Sequence, residues 1–412
     1  MIRMDKNIIL LHLESVNNIV YRMNPQLFPN IMQIEKEGLS FRKYFSTATS
    51  TWMVISDMLY GGLDQYEGCH ELTEKPATFC YESGLLDDFH DMGYQIGVFN
   101  HPYFELSDMR ELYLFGKSVE QNAYTSYREF CHAFKAAMTG RNKYCILICN
   151  FMSNISCHSY VAPGYKRTGR KRWEDGYRCL DEMVGNIFRI LRETGQEENT
   201  IVVLYGDHGD DFWGHGYHMG LTHAIEPTAP LIHTPLIVWE KGRYCGKTSN
   251  KLICTTDIKE MIERMIQGEL PESGSKRSFV CARSAFAAQP VREGAFNKSY
   301  SITDGTTLLL VSSKGLEMYD LEMDPACNFN MLHLFEIVQD RIVFREKEAE
   351  GLRFHFADFM DENQKRYIRQ KFYYMRPHLY RYVVGRYEAG KRSGTDVNGE
   401  MCFHKINHSM KL

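Results

Sequence analysis

The sequence lacks an apolar run long enough to cross a membrane. Its longest apolar stretches, Ile8 to Leu13 and Leu231 to Trp239, are far shorter than the ~20 residues that a spanning helix needs. The first residues, Met-Ile-Arg-Met-Asp-Lys, do not show the charged leader, apolar core and small-residue cleavage site of a secretion signal. The sequence alone therefore predicts a soluble, cytoplasmic protein.

The sequence also lacks a large excess of charge of either sign, since it has 48 Lys and Arg and 52 Asp and Glu. A dedicated nucleic-acid binder usually carries a basic excess, so nucleic acid is not expected as a partner. Hydrophobic residues make up 44% of the 412 residues, which is too many for intrinsic disorder. At ~150 residues per domain, the length allows two or three domains, or one large α/β domain with an appendage.

None of the twelve cysteines belongs to a Cys-x-x-Cys pair, and several lie in apolar runs, as Cys145 and Cys149 do. A buried free thiol behaves as a small hydrophobic group. Disulfide-dense proteins are usually short and secreted. The cysteines are therefore expected to be reduced thiols.

Apolar segments typical of strands alternate with segments of helical periodicity. A continuous apolar run such as Asn7 to Leu13 is typical of a strand buried on both faces. The other predicted strands are 94–99, 145–151, 200–205 and 236–239, and the predicted helices are 31–37, 85–92, 126–138 and 173–193. This alternation predicts an α/β fold with a mostly parallel central sheet sandwiched by helices, whose ligands bind at the carboxyl ends of the strands.

The sequence changes character after about residue 265. A polar link, Gly268 to Arg277, precedes segments at 299–302, 306–312 and 316–321 that are typical of a short antiparallel meander. We therefore expect a catalytic α/β domain over 1–265 and a small C-terminal α+β domain with antiparallel strands over 266–335. A basic, Tyr-rich helical tail is expected over 336–412.

The strongest local signal for chemistry is Asp207-His208, which follows an apolar strand and stands between Gly206 and Gly209. Asp offers a hard oxygen and neutral His a borderline nitrogen, a pair suited to zinc or manganese. The alternative is a capped turn in which Asp207 accepts hydrogen bonds from backbone amides.

Two further segments supply chemically useful groups. Glu14 ends the apolar N-terminal strand, and a buried carboxylate there must be paired with Arg or Lys, hydrated or metal-bound. The hydroxyl-rich loop 46–51 ends at Thr51, just before a segment of helical character. A threonine at a helix start is usually an N-cap, but it becomes a nucleophile if a cation lowers its pKa.

Taken in order, these segments resemble the sulfatase branch of the alkaline phosphatase superfamily over roughly residues 7–330. In that pattern the nucleophile stands ten residues after a Phe and ten before a Gly, and both counts, from Phe41 and from Gly61, identify Thr51. The other matching positions are Glu14, Pro29-Asn30, Glu37-Gly38, Gly93-Tyr94, His158, Tyr177, Asp181, Val184-Gly185, Asp207-His208-Gly209, His223 before Pro235, and Tyr319 to Pro325.

The sequence departs from the formylglycine-dependent sulfatases at two places. Those enzymes have two adjacent carboxylates on the first strand, where only Glu14 is acidic here, and a Cys-x-Pro-Ser-Arg motif, where Thr51 to Ile55 stands here. The site pattern is closer to lipoteichoic acid synthases and phosphoethanolamine transferases. In those relatives Glu, Thr, Asp and His hold one divalent ion, and the Thr takes a phosphoryl group. They also carry membrane helices and work outside the cytoplasm, which this sequence does not suggest.

The resemblance implies a metal-dependent sulfatase-like hydrolase or phosphotransferase. Its substrates would be phosphate, phosphodiester or sulfate esters, of a glycan or glycolipid, cleaved through a covalent intermediate on Thr51. One divalent ion, manganese or zinc with calcium or magnesium as alternatives, is expected on Glu14, Thr51, Asp207 and His208. The remaining assignments are His158 and His223 as catalytic candidates, His101 and His215 as substrate-binding candidates, and Asp181 as a structural residue.

Two alternatives remain at this stage. One is a true sulfate-ester hydrolase that works without formylglycine. The other is an inactive sulfatase-like protein that binds glycans or membranes, with peripheral membrane contact through basic and aromatic residues between Lys365 and Arg392. A terminal helix pair that packs its tyrosines on the core would explain that tail equally. The presence of Glu14, Asp207 and His208 favours an enzyme.

Overall fold

The computed structural model describes residues 6–60, 84–100, 119–124, 126–140, 143–150, 172–211, 226–272, 276–284, 299–312, 315–338, 341–344, 347–349, 352–354 and 361–393. The strands of the main sheet are β1 (Asn7–Leu13), β2 (Leu39–Phe45), β3 (Gln95–Asn100), β4 (Val119–Ala123), β5 (Tyr144–Asn150), β6 (Thr200–Gly206), β7 (Leu236–Glu240) and β8 (Lys247–Cys254).

The main sheet has the strand order β4-β3-β5-β1-β6-β7-β2-β8. Among these described strands, β7 alone runs antiparallel to its two neighbours, β6 and β2. The remaining pairs are parallel. The predicted α/β fold with a mostly parallel sheet is thus confirmed. β1 lies inside the sheet between β5 and β6, which explains why all seven of its residues are buried.

Helices connect the strands and cover the sheet. They are α1 (Asn18–Met23), α2 (Pro29–Glu37), α3 (Thr51–Tyr60), α4 (Leu85–Asp91), α5 (Tyr127–Met138), α6 (Arg172–Glu193), α7 (Ala229–Ile232) and α8 (Asp257–Ile266). α6 packs against α2 and α5, whereas α3 packs against α4 and α8. Gly38 ends α2 in an extended conformation, and a Cβ there would lie 2.7 Å from the carbonyl oxygen of Val238. Close approach to β7 therefore explains this glycine.

A second, antiparallel sheet follows, with the order β12-β11-β10-β9. Its strands are β9 (Val280–Arg283), β10 (Tyr300–Thr303), β11 (Thr307–Ser312) and β12 (Gly315–Asp320). Leu308 and Leu310 pack toward the main body, in a cluster with Phe45 and Ile232. The intervening residue Leu309 lies in another cluster, with the long helix α9 (Glu362–Ser393). The second sheet is thus sandwiched between the main body and α9.

The expectation of a helical tail from residue 336 is wrong for its first part. Four short strands lie there: β13 (Phe335–Val338), β14 (Arg341–Phe344), β15 (Lys347–Ala349) and β16 (Leu352–Phe354). They pair as two antiparallel hairpins. The β-branched residues of β13 and β14 favour strands over helix. In the described part of the tail, the expected helix pair is the single helix α9. The domain boundaries themselves stay a prediction.

In the part of the chain that the structure describes, no helix combines the length and apolar character needed to cross a membrane. The cysteines within the same residues are free thiols, at positions 131, 145, 149, 179, 245, 254, 281 and 327.

Candidate metal and nucleophile site

The candidate site lies where β1 and β6 end side by side. The two strands are parallel, and their register places Leu13 opposite Gly206. The next residue on each chain, Glu14 and Asp207, therefore emerges at the same carboxyl edge of the sheet. Both side chains are buried. A carboxylate buried at this depth needs a cation or several hydrogen-bond donors, so the geometry demands partners for this pair.

His12 is a component of the site that the sequence analysis missed. Its Nε2 lies 3.3 Å from Oε2 of Glu14 and 3.0 Å from Oδ2 of Asp207, and its side chain is fully buried. Because side chains alternate along a strand, residues 12 and 14 point to the same face. A single histidine inside an otherwise apolar strand was the signal that could have identified it.

Thr51 reaches the same point from the start of α3. Its Oγ1 donates a hydrogen bond to Oε2 of Glu14 at 3.0 Å and lies 3.2 Å from Nε2 of His208. The first turn of a helix presents unpaired backbone N–H groups and the positive end of the helix dipole. Thr51 is thus a buried hydroxyl held between a carboxylate and an imidazole, at a helix end that favours negative charge.

The tautomer of His208 follows from its backbone contact. Its Nδ1 lies 3.0 Å from the carbonyl oxygen of Gly209, which can only accept, so Nδ1 carries a proton. Nε2 then faces the site, 3.4 Å from Oδ2 of Asp207 and 3.8 Å from Oε1 of Glu14. A metal-binding histidine usually donates a hydrogen bond in this way from the ring nitrogen that does not bind the metal.

Gly209 allows the chain to turn tightly after His208. A Cβ at position 209 would lie 2.0 Å from the carbonyl oxygen of Pro230, which no side chain could tolerate. The amide of Gly209 also donates to the carbonyl oxygen of Leu231 at 2.8 Å. The turn that orients His208 is therefore clamped against α7.

Ser15 orients both carboxylates through hydrogen bonds from its backbone amide and its hydroxyl. Its backbone has φ of 60°, a left-handed conformation that is unusual for a residue other than glycine. This conformation lets its amide donate to Oδ1 of Asp207 at 3.0 Å, while its hydroxyl donates to Oε1 of Glu14 at 2.9 Å. The hydroxyl of Tyr177 on α6 donates to the Ser15 carbonyl at 2.7 Å and holds the turn in place.

The buried charges perturb one another strongly. Burial acts to lower the pKa of His12, yet the neighbouring Asp207 and Glu14 raise it to about 9. Burial likewise acts to raise the pKa of Asp207, but the interactions with the neighbouring His208 and His12 hold it below its ordinary value. The site thus stabilises positive charge placed between its carboxylates.

These residues fit a divalent cation. The ligand atoms of His12, Glu14 and Asp207 all lie within 4.8 Å of one another, and the three residues are buried. His208 adds a second imidazole nitrogen. Mixed carboxylate and imidazole donors suit zinc or manganese better than calcium or magnesium, which prefer oxygen ligands. His12, Glu14, Asp207 and His208, together with Thr51 Oγ1, are the groups that would hold the ion.

Of the remaining predicted residues, the structure describes only Asp181. His101, His158, His215 and His223 fall outside the residues that the structure describes. Asp181, predicted to be structural, lies on α6 and accepts hydrogen bonds from the amides of Asn30 and Ile31 at the start of α2, at 3.1 and 2.9 Å.

Comparisons with known proteins find similarity to sulfatases and to other proteins of the alkaline phosphatase superfamily. The Sulfatase family model matches residues 166–259, a segment that contains Asp207 and His208. A multifunctional alkaline phosphatase superfamily protein, PehA of Trinickia caryophylli, is 27% identical over 103 residues. That match spans 24% of this chain and 19% of the relative's own length.

Two solved structures show the fold. A 2-O GAG sulfatase matches with a TM-score of 0.61 and 12% identity over 80% of this chain and 87% of its own. The phosphonate monoester hydrolase of Agrobacterium radiobacter matches with a TM-score of 0.54 and 12% identity, over 83% of this chain and 100% of its own. The chain has an alkaline-phosphatase-like α/β fold. The family model matches residues 166–259 only, and the likeness to the solved structures shows the fold alone.

Proposed function

We propose that the protein is a metal-dependent ester hydrolase or phosphotransferase in which Thr51 is the nucleophile. The observation that carries the proposal is the position of Thr51 Oγ1, 3.0 Å from Glu14 and 3.2 Å from His208 in a buried cluster of carboxylates and imidazoles. The names of its relatives, a sulfatase and a phosphonate monoester hydrolase, suggest esters of a tetrahedral oxyanion as substrates.

The chain's own residues account for the chemical step. A bound divalent ion would neutralise charge on the transferring group and lower the pKa of the attacking alcohol. The Thr51 proton already points to Glu14, which is the acceptor that the geometry offers. Thr51 Oγ1 then forms a bond to phosphorus or sulfur while the bond to the leaving oxygen breaks, and that oxygen departs with the electron pair. Water or an acceptor hydroxyl later takes the group from Thr51.

Protonation of the leaving oxygen and contacts to the transferring oxygens are assigned to His158 and His223. His101 and His215 are proposed to bind substrate. These assignments depend on the sequence pattern alone and are tested by single His→Ala variants. We expect His158→Ala and His223→Ala to lower kcat by at least about 100-fold. We expect His101→Ala and His215→Ala to raise KM.

Phosphoryl transfer is favoured over sulfate hydrolysis because a metal-bound threonine as nucleophile resembles the phosphotransferase branch. Phosphate monoesters and diesters of a glycan or glycolipid are the proposed substrates, with manganese or zinc as the ion. A true sulfate-ester hydrolase without formylglycine is the runner-up. Turnover of p-nitrophenyl sulfate, without turnover of p-nitrophenyl phosphate or bis-p-nitrophenyl phosphate, would reverse this order.

The test of the nucleophile is a comparison of neighbouring hydroxyls. Thr51→Ala should abolish turnover of the phosphate ester panel and the covalent label on the protein, detected by mass spectrometry of trapped intermediate. Thr49→Ala and Ser50→Ala, which alter other buried hydroxyls of the same loop, serve as matched controls and should retain both. Near-normal rates in Thr51→Ala would refute the proposal.

The outer face of α9 supports a second role, peripheral contact with an anionic membrane. The helix sequence carries nine Lys or Arg and two Glu. Its apolar stripe, including Phe372 and Leu379, is buried on the second sheet, but Tyr373, Tyr374 and Tyr380 remain 43%, 54% and 36% exposed. Packing on the second sheet therefore accounts for the stripe, while each of these tyrosines leaves part of its ring open to solvent. Exposed aromatic and cationic side chains suit a membrane interface.

Sedimentation with lipid vesicles tests this role. We expect the protein to co-sediment with vesicles containing phosphatidylserine, less so at high salt, and not with pure phosphatidylcholine. Combining Tyr373→Ser and Tyr380→Ser with Arg381→Gln should release it, whereas the control Lys241→Gln, on the main body, should not. Equal behaviour with both vesicle types would contradict the role.

A further inference from the structure

A buried ion pair joins the second sheet to the helix that begins with Thr51. The guanidinium of Arg283, on β9, donates to both carboxylate oxygens of Asp57, on α3, with N–O distances of 2.7 and 3.0 Å. Each side chain is only 1% exposed. Two parallel N–H···O bonds fix the relative orientation of the two groups as well as their distance.

The same arginine also grips the loop that leads into Thr51. Its NH1 donates to the carbonyl oxygen of Thr47 at 3.3 Å, and its backbone amide donates to the same oxygen at 3.1 Å. Arg283 forms a parallel β-bridge with Ala48. The hydroxyl of Thr47 also donates to Oδ2 of Asp57 at 2.5 Å, so Arg283, Asp57 and Thr47 all contact one another. Loop, helix and second sheet are therefore locked through one side chain.

This lock brackets the proposed nucleophile on both sides along the chain. Thr47 lies before Thr51 in the same loop, and Asp57 lies after it on α3. A shift of either contact is therefore expected to move the start of α3. The residue before Thr47 is held by the main body, where the Ser46 amide donates to the carbonyl oxygen of Ile232 at 2.6 Å. Arg283 supplies the tie on the side of the second sheet.

We propose that Arg283 is a positioning residue for Thr51, and that the second sheet is thereby part of the catalytic apparatus. This inference rests on the proposed function of Thr51 as nucleophile. Arg283 acts through Asp57 and Thr47, the groups to which its guanidinium donates hydrogen bonds. A loss of the tie is expected to slow the chemical step by moving Thr51 Oγ1 away from Glu14 and His208.

An ion pair that only stabilises the fold would behave differently. Removing one partner of a buried pair leaves an unpaired charge and threatens folding, whereas removing both and filling the space with apolar side chains is often tolerated. The informative variant is therefore the double substitution Asp57→Leu with Arg283→Met. The control is Asp257→Asn with Arg277→Gln, which removes another two-bond Arg–Asp pair, joined at 2.5 and 3.0 Å, between the start of α8 and the segment before β9.

The kcat values of three variants show whether Arg283 positions Thr51. Below its unfolding temperature, the double variant should keep wild-type metal content and a KM within about twofold, while kcat falls by about ten- to a hundredfold. Arg283→Lys, which can restore the charge but not the two-bond geometry, should give an intermediate kcat. The control pair should keep wild-type kcat. A double variant with unchanged kcat overturns the inference.

A crystal structure of the double variant separates this inference from the proposed function. If positioning is correct, Thr51 Oγ1 moves beyond hydrogen-bond distance of Glu14, from the present 3.0 Å. An unmoved Thr51 overturns the positioning role whatever Thr51→Ala does. Conversely, an active Thr51→Ala overturns the nucleophile assignment, while the displacement still reports whether Arg283 positions the loop.

Discussion

The Nε2 atom of His12 lies 3.0 Å from Oδ2 of Asp207, and both side chains are fully buried. His12 belongs to β1 and Asp207 follows β6, so the contact depends on the parallel pairing of these two strands. A histidine so placed is a candidate ligand of the same ion as Glu14 and Asp207.

Replacing His12 should therefore weaken metal binding. We expect His12→Gln to lower zinc or manganese affinity by at least about tenfold, measured by calorimetry and by metal analysis of dialysed protein. His233→Gln is the control, since His233 stacks on Phe45 with ring centroids 4.5 Å apart, away from the carboxylates. Wild-type affinity in His12→Gln would show that the histidine only fills space.

Removal of the metal should destabilise the fold. Without the ion, the two buried carboxylates keep only the neighbouring His12 as compensating charge, so a chelator should lower the unfolding temperature and added manganese or zinc should restore it. Saturation at about 100 times the dissociation constant corresponds to about 2.7 kcal/mol of added stability. Asp207→Asn should respond far less to chelator in the same thermal scan. Identical melting of chelated and loaded wild type would contradict a structural metal.

The turn after His208 should not tolerate a side chain. Gly209→Ala would force its Cβ to within 2.0 Å of the Pro230 carbonyl, so we expect a loss of at least about 2 kcal/mol in denaturant unfolding, together with loss of metal. The control is Gly385→Ala in α9, where a Cβ meets nothing within 4 Å. That change should be neutral or stabilise by up to about 1 kcal/mol, because glycine is a poor helix residue. A folded, metal-loaded Gly209→Ala protein would refute the clamp.

Asp181 should matter for stability and not for catalysis. Asp181→Ala removes the acceptor of two amides at the start of α2, so we expect a cost of about 1–2 kcal/mol in urea unfolding and an unchanged kcat. Asp175→Ala on the same helix, which breaks a half-exposed pair with Arg178, should cost under about 0.5 kcal/mol. A large fall in kcat for folded Asp181→Ala would reassign this residue to the site.

The interior of the fold was predictable because its strands are apolar throughout. Asn7–Leu13 was predicted to the residue, and the strands that became β3, β5, β6 and β7 were predicted to within one residue at each end. Strands β2, β4 and β8 escaped prediction because each carries polar residues, and β4 and β8 also lie at the sheet edges. The reversed direction of β7 could not be read from its own residues, since an apolar strand has the same pattern in either direction.

Within the candidate site, the sequence indicated the groups that end a strand or begin a helix. Glu14, Thr51, Asp207 and His208 stand at such positions, and the structure brings them together. His12 was missed because it lies inside β1, where a polar residue was read as part of the core. Arg283 was missed because its partner Asp57 is distant in sequence, and no local pattern reveals a long-range ion pair. Their roles remain predictions for the experiments above.

The adjacency of β1 and β6 also sets the order in which this protein can mature on the ribosome. Glu14 emerges early, but its neighbours Asp207 and His208 are synthesised only after β6. The nascent N-terminal half therefore has no complete ligand set with which to capture an ion. The Thr51 loop is completed later still, because Arg283, which pairs with Ala48 and bonds to Thr47, is translated after His208. If these residues hold the proposed ion, its uptake comes late in biosynthesis, after six of the eight strands of the main sheet have been synthesised.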